Sequence, residues 1–153
     1  MYNVIMKTNQ LYEFIWMSRP LMQAAEACVE EGLAGTGLTV RMRAILEMLH
    51  THGDMTVPDI ATKLSIQRQY VQLMVTEPLA SGFTAQRPNP RHIRSLLLTL
   101  TEQCRDLIED VIAKEMNLMN TLSTGFDDAE VTTALKLIQA VTERLKATTG
   151  DNT

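Results

Sequence analysis

The stretch TVPDIATKLSIQRQYVQLMVTEPLASGFTAQRPNPRHIRSLLLTL, Thr56 to Leu100, decides how this chain is read. Thr56 stands two residues before Pro58, and a hydroxyl ahead of a first-turn proline starts a helix. That helix is expected from Pro58 to Leu64, with Ile60, Ala61 and Leu64 turned inward. Ser65-Ile66 makes a turn. A second helix is expected from Gln67 to about Ala80, packed through Val71, Met74, Val75 and Leu79. Pro78 has no N–H to offer the carbonyl of Met74, so the end of this helix should bend or shorten. Gly82 closes it. Two strands follow, Phe83 to Arg87 and Ser95 to Leu100. The loop between them is stiffened by Pro88-Asn89-Pro90 and carries Arg91, His92 and Arg94.

Helix, turn, helix and hairpin, in that order, make a winged helix-turn-helix, which lays its second helix in the DNA major groove with a basic loop beside it. Opposite the inward residues, the second helix shows Gln67, Arg68, Gln69, Gln72, Leu73 and Thr76, with Tyr70 at the border. Glutamine pairs with adenine, arginine with guanine, and threonine or leucine meets a thymine methyl. Tyr70 either donates its hydroxyl to a phosphate or simply packs. Arg91 and His92 at the loop tip suit the negative potential of a minor groove. A plain polar helix face would look the same in isolation; the basic loop and the order of the elements favour DNA.

The chain has 153 residues, enough for one domain with a core. Only seven residues are aromatic while ten are methionine, which suits long helices better than sheets. The formal charge of −4 argues against nucleic acid until position is considered. Between Gln67 and Arg94, four arginines face one glutamate; this net +3 leaves −7 on the remainder. A basic patch on an acidic body is still a footprint for phosphate. Two distant cysteines without CxxC spacing imply a reducing compartment and no zinc site. With no signal peptide at the start and no apolar run of membrane length, a cytoplasmic protein without membrane contact is expected.

Before the module, Leu11, Ile15, Met22, Ala25 and Val29 recur at helical spacing from about Gln10 to Glu31. Pro20 should kink this helix or divide it in two. After a loop at Gly32, Gly35 and Gly37, Thr39 should cap a helix to about Leu49, buried through Val40, Ile45, Met48 and Leu49. His50 to Asp54 reads as a turn. Beyond the module, a helix from Thr101-Glu102 to about Thr124 carries Leu107, Ile108, Val111, Ile112, Met119 and Leu122. Gly125 breaks it. Asp127 caps a last helix with the stripe Val131, Leu135, Ile138, Val141 and Leu145, and Thr148 to Thr153 is expected to fray. No internal repeat is present.

The segments GLTVRMRAILEML, TVPDIATKLSIQRQYVQLMV and SGFTAQRPNPRHIRSLLLTLTEQC resemble the MarR family of winged-helix transcription regulators over nearly the whole chain. The most specific matches are Leu38-Thr39-Val40-Arg41-Met42 and the wing ending from Arg94 to Thr101. The resemblance implies a mainly α fold with a small β-hairpin wing. It places the winged module at residues 38–100 and dimerisation helices at 10–37 and 101–148. It further implies a homodimer on a palindromic operator of double-stranded DNA, acting as a repressor. Release would come from a small phenolic or other aromatic effector between the dimer helices and the module. By the same resemblance, Arg94 braces the wing and meets phosphate. His92 stands where the family usually has Asp, Gln67 where it has a Ser or Thr cap, Pro78 at a leucine-like position, and Cys104 at a glycine.

Other groupings carry less. His50 and His52 near Asp54 are too few and wrongly spaced for a common zinc site. Cys28 and Cys104 lie in apolar helical stretches, as buried small residues do. Met17, Met22, Met48, Met116 and Met119 read first as core; with Tyr12 and Trp16, Met48 is the candidate lining of an effector pocket. No HExxH, GxSxG or phosphate loop occurs, so no catalytic residue, metal or cofactor is expected. The expected protein is a DNA-binding regulator with Gln67, Arg68, Gln69, Tyr70, Gln72, Arg87, Arg91, His92 and Arg94 at the duplex. The rival readings are a winged-helix dimer with a protein partner or without DNA, and a helical small-molecule binder.

Overall fold

The computed structural model describes residues 1–150, apart from the side chain of Tyr2. It is mostly helical, with one small antiparallel hairpin. The elements are α1 (Tyr2–Gly32), α2 (Val40–His52), α3 (Val57–Leu64), α4 (Arg68–Met74), α5 (Thr76–Ala80), β1 (Thr84–Arg87), β2 (Leu97–Leu100), α6 (Glu102–Ser123) and α7 (Asp128–Thr149). Two compact units emerge, Met1–Met116 and Asn117–Thr153.

In the first unit, local chemistry sets the helix starts. The Thr39 hydroxyl accepts from the Met42 amide at 3.2 Å, and the Met42 sulfur accepts from the Thr39 amide at 3.5 Å. Thr56 and Asp59 form the same reciprocal box in front of α3, sparing two amides that the helix itself leaves unbonded. Ser65 then adopts a left-handed backbone with φ 55°, the sharp corner that turns α3 into α4.

The core of this unit gathers Met42, Ile45, Leu46 and Leu49 of α2, Ile60 of α3, Val71 of α4, Leu98 of β2, and Cys104 and Ile108 of α6. The hairpin pairs Thr84 with Leu100 and Arg87 with Leu97. Met55, just ahead of α3, adds an isolated bridge to Leu98 through two backbone bonds of 2.8 and 3.2 Å. Arg43 of α2 forks onto Glu115 of α6, with Nε donating to Oε1 at 2.8 Å, and also pairs with Glu47. Hydrogen bonding to Glu115 raises the Arg43 pKa above the usual arginine value, against the opposing cost of its partial burial.

Several expectations need correction. The first helix starts at Tyr2 rather than Gln10 and runs unbroken through Pro20, because good helix formers on both sides carry it past one missing donor. Its apolar residues Leu11 and Met22 are exposed in the single chain, as are Met17, Met116 and Met119. A stripe marks a face to be covered; it does not say by which chain. The second helix extends through His50 and His52 to a Gly53 cap. Both strands are shorter than expected. Cys28 is exposed, whereas Cys104 is fully buried as expected, and burial pushes its thiol up to about 11.

The second unit holds the end of α6 and α7. The Asp127 carboxylate accepts from the Ala129 amide at 3.2 Å and caps α7. No residue of α7 is buried; Val131, Leu135, Ile138 and Leu145 are all exposed. The helix continues to Thr149, past the expected start of fraying, and the last three residues of that tail lie outside the described residues. Among the described residues, no helix is long and apolar enough to cross a membrane.

Candidate nucleic-acid interface

The expected recognition helix is two pieces. The seven-residue α4 ends at Met74, Val75 sits at the junction, and α5 runs on from Thr76. Pro78 is the cause that the sequence offers, since position 78 lacks the donor that would bond the Met74 carbonyl. Its ring is buried in the core, so the break is also a packing feature. Gln67 occupies the N-cap of α4 and makes no side-chain cap bond, which leaves its amide head free.

Val71 and Val75 turn into the core at 0% and 1% exposure, which fixes the rotation of α4. Gln67, Arg68, Gln69 and Gln72 are consequently exposed, with Leu73 71% and Tyr70 44% exposed. This is a row of hydrogen-bonding heads around one apolar side chain, the composition that base edges and thymine methyls require.

The hairpin stands beside this face. Arg68 and Gln72 of α4 share a concavity of about 240 Å³ with Arg94, Gln86, Ser95 and Pro58. The loop beyond is ordered by its own bonds. The Asn89 carboxamide oxygen accepts from the Arg91 amide at 3.0 Å, the Asn89 carbonyl from His92 at 3.2 Å, and the His92 carbonyl from Ser95 at 3.1 Å. Arg91, His92, Ile93 and Arg94 are all exposed on it.

Two expected roles change hands. Arg87 is not a free cation: its Nε donates to Asp54 Oδ2 at 2.6 Å, and its second nitrogen pairs with the same oxygen. Arg94, expected to brace the wing, makes no ion pair among the described residues. The brace is Arg87–Asp54, tying β1 to the segment that also bridges β2 through Met55. Asp54 was missed because its partner lies 33 residues away. Arg41, at the start of α2, also lies beside the α4 face, its guanidinium 5.9 Å from the centre of the Tyr70 ring.

The other expected groups are scattered. Tyr12 and Trp16 meet edge to face at 6.2 Å on the exposed surface of α1, with Arg19 over Trp16. Met48 is half-buried against the core. His50 faces Glu109 at 3.2 Å, a pairing within the scaffold.

No family model matches this chain. A crystal structure of a MarR family transcription regulator is 33% identical, covers 95% of this chain and 96% of its own, and superposes with a TM-score of 0.83. The chain belongs to the MarR family. Its module is therefore the DNA-binding winged helix-turn-helix of a family of transcription regulators rather than enzymes. More distant MarR-like structures share the fold. A mutant MarR from E. coli, complexed with operator DNA, is 19% identical with a TM-score of 0.76, covering 87% of this chain and 96% of its own. BpsR of Bordetella bronchiseptica, whose DNA binding is regulated by 6-hydroxynicotinic acid, is 21% identical with a TM-score of 0.71 over 82% and 90% of the two chains. Uncharacterized proteins of Mycobacterium tuberculosis and Mycobacterium bovis are 30% identical over 93 residues, 61% of this chain. The match spans 65% of the length of these relatives.

Proposed function

We propose that this chain is a homodimeric repressor that binds a palindromic operator. The observation that carries this reading is the facing of Arg68 and Gln72 on α4 with Arg94 on the wing across one concavity. Recognition helix and basic wing then address one stretch of duplex together. Gln67, Arg68, Gln69 and Gln72 read base edges, and Leu73 touches a thymine methyl. Arg94 meets phosphate, Tyr70 stands at the border of the exposed α4 face, and Arg91 and His92 enter the adjoining minor groove. Arg87 acts through Asp54, holding the wing in place.

Homodimerisation is supported by two apolar surfaces that the single chain leaves open. One runs along α1 through Leu11 and Met22; the other lies on α7 through Val131, Leu135 and Leu145. Residues 1–32 and 102–149 are in this reading the dimerisation helices, and 38–100 the DNA-binding module. A dimer would set its recognition helices roughly 34–36 Å apart, one turn of duplex. A small aromatic acid is the effector class favoured by the exposed Tyr12–Trp16 pair with Arg19 beside it. An effector that prefers the wrong spacing of the two modules by a few kcal/mol would release the operator.

The test is footprinting across genomic fragments at low and moderate salt, with the oligomeric state measured by sedimentation. Protection of a palindromic site by a dimer is the expected result. An intact dimer that protects no fragment would overturn the proposal.

A further inference from the structure

The first turn of α2 carries two arginines with opposite situations. Arg43 is consumed by Glu47 and Glu115. Arg41 is exposed, has no carboxylate partner among the described residues, and lies over the ring of Tyr70. Its position is an unfavourable one for a cation in the free protein, because the start of a helix is its positive end and no acid stands in this first turn. Among the described residues, a ring face is the attraction that the fold supplies.

The position of that ring gives the arrangement its meaning. Tyr70 follows Arg68 by two residues, which puts the two on opposite flanks of α4. The Arg68 flank faces the wing across the concavity shared with Arg94. The Tyr70 flank faces Arg41. A helix with its side chains nearly fills a major groove, so each flank lies against the phosphates of a different strand. We propose that Arg41, seated on Tyr70, is a phosphate contact on the side of α4 away from the wing, so that each module grips both strands bordering the groove. The inference rests on the DNA-binding reading above and adds to it a residue from outside the helix-turn-helix and wing. Tyr70 is in this account a positioning residue: its ring holds the guanidinium level with the recognition face.

The test is fluorescence anisotropy of the intact chain on a labelled mixed-sequence duplex of about 30 base pairs, between about 50 and about 200 mM KCl. Loss of one phosphate contact lowers the slope of log K against log salt by about 0.9 per engaged module and weakens binding by roughly tenfold near 0.1 M. Arg41→Ala and Arg41→Gln should both show this, Arg41→Lys should keep most of the slope, and Tyr70→Ala should fall between. Lys114→Ala, an exposed charge on α6, should leave the slope unchanged. If Arg94→Ala lowers the slope while both neutral Arg41 variants match the wild type, Arg41 is idle and the inference is wrong, though the function stands. If the wild-type chain does not bind even at the lowest salt, both fall.

Discussion

The wing brace offers a direct measure of how charge is distributed between structure and DNA. Arg87 is half exposed and held by Asp54 through two nitrogens on one oxygen. A cation already paired in this way releases few further counterions when it approaches a phosphate. Arg87→Ala should therefore lower the salt slope on a mixed-sequence duplex by only about 0.3, against about 0.9 per module for Arg94→Ala. Asp54→Ala is the more telling change, because it frees a cation at the base of the wing. The slope should rise by up to about 0.9 per module, with non-specific binding tightened by several-fold near 0.1 M. Binding to the specific operator should weaken at the same time, since β1 loses its tie and only the Met55–Leu98 bridge still holds the wing to that segment. The double variant Asp54→Ala/Arg87→Ala should return the slope close to wild type. The fold itself should hardly notice: a pair this exposed contributes about 0.2–1 kcal/mol, so Tm should fall by no more than about 4 °C. If Arg87→Ala lowered the slope as far as Arg94→Ala while Asp54→Ala left it unchanged, Arg87 would be a phosphate contact and the brace reasoning would fail.

Three further predictions follow from the scaffold. Thr56→Ala removes one half of the capping box at α3 and should cost about 1 kcal/mol, read as a drop in Tm of about 2–4 °C; an unchanged Tm would mean that Asp59 suffices alone. Pro78→Ala supplies the missing donor, so the amide at 78 should become protected from hydrogen exchange and α4 and α5 should join; exchange as fast as an unfolded amide would place the cause of the break elsewhere. Cys104 titrates near 9.0 when unfolded and near 11 when folded, so between these values the unfolded state binds fewer protons and stability should fall as pH rises. Cys104→Ala should flatten that part of the stability profile relative to wild type, and an identical alkaline slope in both proteins would rule the thiol out as the source.

What the sequence disclosed and what it hid follow a physical division. Starts and stops of helices rest on contacts three or four residues apart, so Thr39, Thr56, Gly82 and Asp127 were all legible. The rotation of α4 was legible too, since Val71 and Val75 announce the buried side. The bridge from Met55 to Leu98, the Asp54–Arg87 pair and the seat of Arg41 on Tyr70 join residues far apart in the chain, and no local pattern encodes them. Helix continuity through Pro20 was ambiguous because one lost donor is weighed against some thirty residues of favourable neighbours. The exposed stripes of α1 and α7 were correctly seen as apolar faces. Whether a face is covered by its own chain depends on packing that periodicity does not contain.

The same distribution of pairs resolves the opposition between a net charge of −4 and a reading as a DNA-binding protein. Two arginines that a composition count would credit to binding, Arg43 and Arg87, are held by carboxylates of the scaffold. Arg41, Arg68, Arg91 and Arg94 have no such partners among the described residues, and each lies on α4, beside it or on the wing. The largest surplus of acid lies on α6, where Glu102, Asp106, Glu109, Asp110 and Glu115 outnumber Arg105 and Lys114, whereas the acids of α7 are matched by Lys136, Arg144 and Lys146. A duplex approaching the acidic turns of α6 meets repulsion, and one approaching the module meets four uncommitted cations. Encounter is then selected by orientation rather than by overall charge, which favours specific docking over indiscriminate adhesion to nucleic acid. Replacing the exposed Asp106 and Asp110 of α6 with lysine should consequently raise non-specific binding far more than operator binding. An equal gain on both would mean that the acidic α6 plays no part in the selection.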